Sequence, residues 1–235
     1  MNGYNSEFDG NHDWDDRGDL AWNEHDWQQY LKQQGQEVIR FLSFYKKLKH
    51  QPTRLDEIAQ LMGWDQEDWN NDVAAENNEP APASEDQGID LQSLEEDHSE
   101  SEDLDPYTVH RHPVYIVTNG LYRAIRYNWR HLVKTDTHQL DGDTVMEFSQ
   151  SLSDGEYQAM MGIHALDMGD FTLCVCHLKH ALTSLNHSLG LLHGFPLKEN
   201  RSCAQFHAET LPMLFDLREL WLRVMTECRE VNRRR

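Results

Sequence analysis

The sequence predicts an all-α protein: a C-terminal helical bundle of about five helices, a small N-terminal helical module, and an acidic disordered linker between them. Three observations carry this expectation. Apolar residues recur at three- and four-residue spacing through residues 24–62 and again from 113 to 231. No strand-like alternation runs long enough to compete. The stretch from Asn70 to Pro106 holds 13 Asp/Glu and no Lys or Arg, so self-repulsion and scarce apolar residues keep it from burying a core.

The implied domains follow from these breaks in composition. Residues 1–22 are a disordered acidic N-terminus, 23–70 the small helical module, 71–106 the linker and 107–235 the all-helical bundle. Charge divides along the same line. Residues 1–105 carry 27 Asp/Glu against 7 Lys/Arg, whereas residues 106–235 carry 14 of each. The whole net charge of −20 therefore belongs to the N-terminal part. Such a chain repels phosphate backbones and anionic lipid, which disfavours nucleic acid and membrane partners. The first residues lack the basic and apolar regions of a secretory signal, and no run of apolar residues is long enough to span a bilayer. Cys174, Cys176, Cys203 and Cys228 have no CxxC spacing, and Cys174 and Cys176 diverge by about 200° on a helix. A reduced, cytoplasmic protein is expected.

In the module, Trp27, Leu31, Val38, Phe41, Leu42 and Tyr45 mark one helix from Glu24 to about Lys49, broken by Gln51-Pro52. Thr53 is expected to cap a second helix, with Asp56 at its third position and Gly63 as its stop. The Ala59-to-Gly63 spacing resembles the start of a helix-turn-helix, but the acidic "DQEDWNN" that follows is unsuited to DNA. In the bundle, Pro113 suits a first turn, and Val114, Val117, Leu121, Ile125 and Leu132 form one apolar face. Asp143 is expected to cap a short helix, Ser153 or Asp154 a second that ends at Met168, and Asp170 a third that reaches Leu192. The last helix is expected from about Cys203 to Val231, with Leu211, Leu214, Phe215, Leu222 and Met225 on its core side.

The segment 155–188, "GEYQAMMGIHALDMGDFTLCVCHLKHALTSLN", reads as helix, Gly-Asp turn, helix. Small residues fall at Gly162, Gly169, Cys174 and Ala181, and Phe171 and Leu178 are the large packing positions. The pattern resembles a single tetratricopeptide repeat, whose turn of glycine, acidic residue and aromatic matches Gly169, Asp170 and Phe171. Tyr157 lies one position from the usual early aromatic, the terminal proline is missing, and no second repeat follows. The resemblance implies a helical hairpin and a protein-binding role, with Cys174 filling the slot of a small residue between the helices.

Two constellations carry a chemical alternative. Asp170, Cys174 and His177 share a helical stripe, and Cys203 is placed to add a fourth metal ligand. Asn128, His164, Asp167, His207 and Arg218 each fall on a face read as apolar; converging, they would make a polar cluster able to hold a small ligand or do acid–base work. No phosphate loop, nucleophile elbow or HExxH is present. Helical di-iron proteins need Glu-x-x-His pairs on two helices, and the segments read as helical have none. The function expected is that of a non-enzymatic adaptor binding another protein, without a cofactor. The alternative is a helical metal- or ligand-binding enzyme that uses the buried cluster.

Overall fold

The computed structural model describes residues 22–64, 108–135, 140–198 and 200–234. The acidic segment 71–106 expected to be a linker lies outside them, as do residues 1–21. Among the described residues there are six α-helices and no strand: α1 Glu24–Leu48, α2 Arg54–Met62, α3 Pro113–Thr135, α4 Gly142–Asp167, α5 Phe171–His193 and α6 Arg201–Arg234. A 3₁₀ turn, Val109–Arg111, leads into α3. The described residues divide into two units, 22–33 in the first and 34–64 with the residues from 108 onward in the second. In the first, Trp22, Trp27 and Tyr30 meet edge to face with centroids 5.0–5.9 Å apart, the arrangement that aromatic quadrupoles favour.

The second unit is built on the α4–α5 hairpin. Gly169, at φ 73°, takes the left-handed turn that a side chain would strain. Asp170 then caps α5 by accepting the Leu173 N–H at 2.9 Å. Along the seam, α4 presents Ser151, Gly155, Ala159 and Gly162, all buried. A methyl group added at Gly162 would sit 3.2 Å from Leu178 and 3.4 Å from the Cys174 carbonyl oxygen, and one at Gly155 would sit 2.6 Å from the Tyr122 hydroxyl. The α5 wall supplies Cys174, Ala181, Ser184 and Ser188. Ser151 and Ser188, both buried, share a hydroxyl hydrogen bond of 2.7 Å.

Helices α3 and α6 close the core. Trp129 gathers Phe148, Phe195 and Phe206 at centroid distances of 4.6–5.8 Å, and its indole N–H donates to Ser149 Oγ at 2.8 Å. Trp221 stacks on Tyr122 and donates to Thr118 Oγ1 at 3.3 Å. Gly120 of α3 lets Phe41 of α1 approach its backbone: an added Cβ would meet the Phe41 ring at 2.8 Å. The buried Asp216 of α6 binds the same region from the other side. It accepts the Tyr45 hydroxyl at 2.5 Å and both the Nε and Nη2 of Arg54, at 2.6 and 2.5 Å. A bidentate guanidinium satisfies a buried carboxylate more fully than a lone ammonium would.

Several local expectations are corrected. The two short helices expected over 143–168 are one, so the bundle has four long helices and a 3₁₀ turn. Ser149, Ser151 and Ser153 bond back to the carbonyls of Val145, Phe148 and Ser149, which keeps their hydroxyls inside the helix instead of starting a new one. The cap of α4 is Asp141 rather than Asp143. Thr53 does stand at the N-cap of α2, but its side chain makes no cap hydrogen bond: its hydroxyl donates to Glu57, while Asp56 turns to Arg223 of α6 at 2.5 Å. Helix α6 begins earlier, capped by Asn200, whose side-chain oxygen accepts from the Ser202 and Cys203 N–H groups. Phe215 and Leu222, expected in the core, are exposed, and Leu211 is half-buried. The core face of α6 runs through Phe206, Leu214, Leu217, Trp221 and Cys228.

Two pairs of substitutions test the packing and the buried carboxylate. Gly162→Val should cost about 2–3 kcal/mol by overpacking the seam, whereas Gly190→Ala, with nothing within 4 Å of the added Cβ, should gain up to about 1 kcal/mol; urea denaturation reads both. Asp216→Ala should cost about 3 kcal/mol because it leaves the half-buried Arg54 without its carboxylate. Tyr45→Phe, which keeps that pair, should cost about 1 kcal/mol.

Candidate functional site

The polar residues singled out from the sequence are not brought together. Asn128 is half-buried and donates to Glu209 Oε2 at 3.3 Å. His164, Asp167 and Arg218 are exposed. His207 is half-buried, its ring 6.0 Å from that of His193. No hydrogen bond or ion pair joins any two of the five among the described residues. The reason is visible on α4. That helix has two arcs that read as apolar, and His164 lies on the one facing outward, opposite the Gly155–Ala159–Gly162 seam.

The proposed metal ligands are likewise occupied elsewhere. Asp170 caps α5, and His177 Nδ1 is 2.8 Å from Gln158 Oε1. Cys174 is buried with its sulfur 3.8 Å from that of Cys228, a neighbour on α6. Cys203 is buried at the start of α6, where its N–H is held by Asn200. Among the described residues, no three His, Cys, Asp or Glu side chains are grouped so that they could hold a metal ion. The thiol of Cys174 is pushed up by its hydrogen bond with Cys228 and by burial, which keeps it protonated and poorly nucleophilic.

The structure instead reveals a surface that the sequence reading missed. Met146, Tyr157, Met161 and Met168 fall within about 60° of one another around α4, on the side away from the seam. They are far more exposed than a core stripe allows: 71 %, 62 %, 37 % and 74 %. Leu173, at the start of α5, is exposed near the same end of the hairpin. Beside this face, the ion pair between Arg126 and Glu156 bridges α3 and α4. Burial raises the Glu156 carboxyl while Arg126 opposes the rise. The signal was present in the spacing, because residues 146, 157, 161 and 168 repeat at helical intervals. What sequence could not supply was that the arc opposite the small residues would be left in solvent.

Among the described residues, no helix is long and apolar enough to cross a membrane. Compared with known proteins, the chain matches no family model, no curated protein and no solved structure.

Two histidine pairs set a pH dependence. Burial lowers His110 and His207, and the neighbouring His164 and His193 lower them further. A depressed histidine takes up its proton more readily when the chain unfolds. Its contribution to stability is therefore intact above about pH 6.5 and is lost as pH falls through the folded-state value. Unfolding free energy measured between pH 7.5 and 5 should decline on this account, and His207→Gln should make the decline shallower.

Proposed function

We propose that the protein is a non-enzymatic adaptor that binds another protein through the outward face of α4. The carrying observation is the exposed stripe of Met146, Tyr157, Met161 and Met168. Exposed apolar patches of this kind mark interaction surfaces, and methionine suits them because its flexible thioether packs against irregular partners. Tyr157 supplies the rigid, amphipathic anchor common at interface hot spots. The tetratricopeptide-like pattern of the same hairpin supports the reading, since that family uses paired helices to present binding surfaces. A cytoplasmic setting is part of the proposal, supported by four cysteines that are all free thiols.

The face is exposed, so changing it should spare the fold. Tyr157→Glu and Met161→Glu should leave the melting temperature within a few degrees of wild type. Each should weaken binding of the native partner, recovered by affinity purification, by about tenfold or more. Unchanged partner recovery with both variants would refute the assignment of this face.

A further inference from the structure

The groove between α3 and α4 has a chemistry unlike the rest of this chain. Its volume is about 330 Å³, at the lower end of the range of ~300–1,000 Å³ for ligand pockets and suited to a few side chains of an extended segment. Arg126, Arg130 and Lys134 line it at four-residue spacing, so that one helix face carries three cations. Its floor is apolar, made by Trp129, Val133 and Val145. No carboxylate is among the described residues that line it. Arg130 and Lys134 are exposed, with no ion pair among the described residues, whereas Arg126 is held by Glu156. Helix α3 as a whole has four Lys/Arg and no Asp or Glu, in a chain of net charge −20. The other flank of α4 is its opposite: the groove toward α5 is lined by Asp143, Glu147 and Asp154.

We infer that the α3–α4 groove takes an acidic peptide segment of a partner protein, one that intersperses apolar side chains among its carboxylates. The inference rests on the protein-binding reading above and names the partner's chemistry at a surface that adjoins the α4 face. Arg130 and Lys134 bind the carboxylates, and the Trp129–Val133–Val145 floor takes the apolar side chains. A nucleic acid also offers anions, but its continuous phosphates meet the repulsion of the whole chain. A peptide interleaves its carboxylates with apolar side chains that fill the Trp129–Val133–Val145 floor, which a phosphate backbone does not. The acidic α5 flank sets the direction of docking, because it repels a segment that strays across α4.

The test is fluorescence anisotropy on the full chain, with a fluorescein-labelled peptide of repeated Glu-Asp-Leu-Glu units as probe. A counterpart in which Gln and Asn replace every Glu and Asp serves as the comparison. The charged probe should bind, weaken as salt rises, and lose about tenfold or more in affinity in the double variant Arg130→Glu, Lys134→Glu. Both positions are exposed, so circular dichroism and melting of that variant should match wild type. Equal binding of the neutral counterpart, or equal affinity of the double variant, overturns the inference. So does a labelled polyuridine that binds more tightly than the peptide with the same dependence on Arg130 and Lys134. If the probe binds only after the Asp and Glu of residues 71–106 are changed to Asn and Gln, the occupant is the chain's own segment and the partner assignment falls. Probe binding lost in Tyr157→Glu but kept in the double variant overturns the groove alone and leaves the protein-binding reading standing. No probe binding, together with partner recovery unchanged by Tyr157→Glu and Met161→Glu, defeats both.

Discussion

The close approach of α4 to α5 is the constraint from which the rest of the arrangement follows. Ser151, Gly155, Ala159 and Gly162 of α4 face Cys174, Leu178, Ala181, Ser184 and Ser188 of α5, so closely that a Cβ added at Gly162 would crowd Leu178 at 3.2 Å. Once that seam is chosen, the orientation of α4 is settled. With Phe148, Leu152 and Ile163 buried on the seam's side of the helix, Met146, Tyr157, Met161 and Met168 stand on the opposite side, in solvent. An apolar stripe in water is costly to keep for a chain that binds nothing. The packing of the interior and the character of the surface are therefore one fact seen from two sides.

A second, polar constraint ties the N-terminal helices to this scaffold. Asp216 faces away from the aromatic interior of α6, toward Tyr45 and Arg54. Burial raises its carboxyl, while the hydrogen bonds from Arg54 and Tyr45 pull it back down. A buried ion pair of this kind adds little net stability, since desolvation consumes much of the attraction. Its effect is on register: a guanidinium fork meets one carboxylate in one geometry, which fixes α2 along α6. Arg223 and Asp56 repeat the tie about two turns further along α6, at the surface, where screening leaves them little energy.

Much of this was legible in residues alone. The extent of α1, the glycine stop at Gly63, the start of α3 at Pro113 and the Gly169–Asp170 turn all follow from local chemistry, and local chemistry is unaffected by what packs against it. The small-residue slot at Cys174 was also readable, as what the resemblance of segment 155–188 to a tetratricopeptide hairpin implies, and Cys174 is buried with its carbonyl 3.4 Å from a Cβ placed at Gly162. Misreadings fall where a helix has two faces that each look apolar. Helix α4 has a buried arc, where small residues sit among Phe148, Leu152 and Ile163, and an exposed arc that also reads as apolar; His164 and Asp167 were misplaced onto the first. Helix α6 packs on two sides, so Asp216 is buried while Arg218, two residues on, is in solvent. Ser149, Ser151 and Ser153 show the same limit: a hydroxyl that caps in one setting bonds to the preceding turn in another.

The most direct test of the central claim is methionine footprinting by dilute peroxide, performed on the purified protein and inside its native cells. Met146, Met161 and Met168 are exposed, while Met62 and Met225 are buried and act as internal references. In the purified protein, the three exposed sulfurs should oxidise well ahead of the two references. Inside the cell, a partner seated on α4 should protect Met161 and its neighbours while leaving the references unchanged. Equal oxidation of the α4 methionines in both settings would contradict a bound partner on that face. Rapid oxidation of Met62 and Met225 in the purified protein would contradict the packing that creates the face.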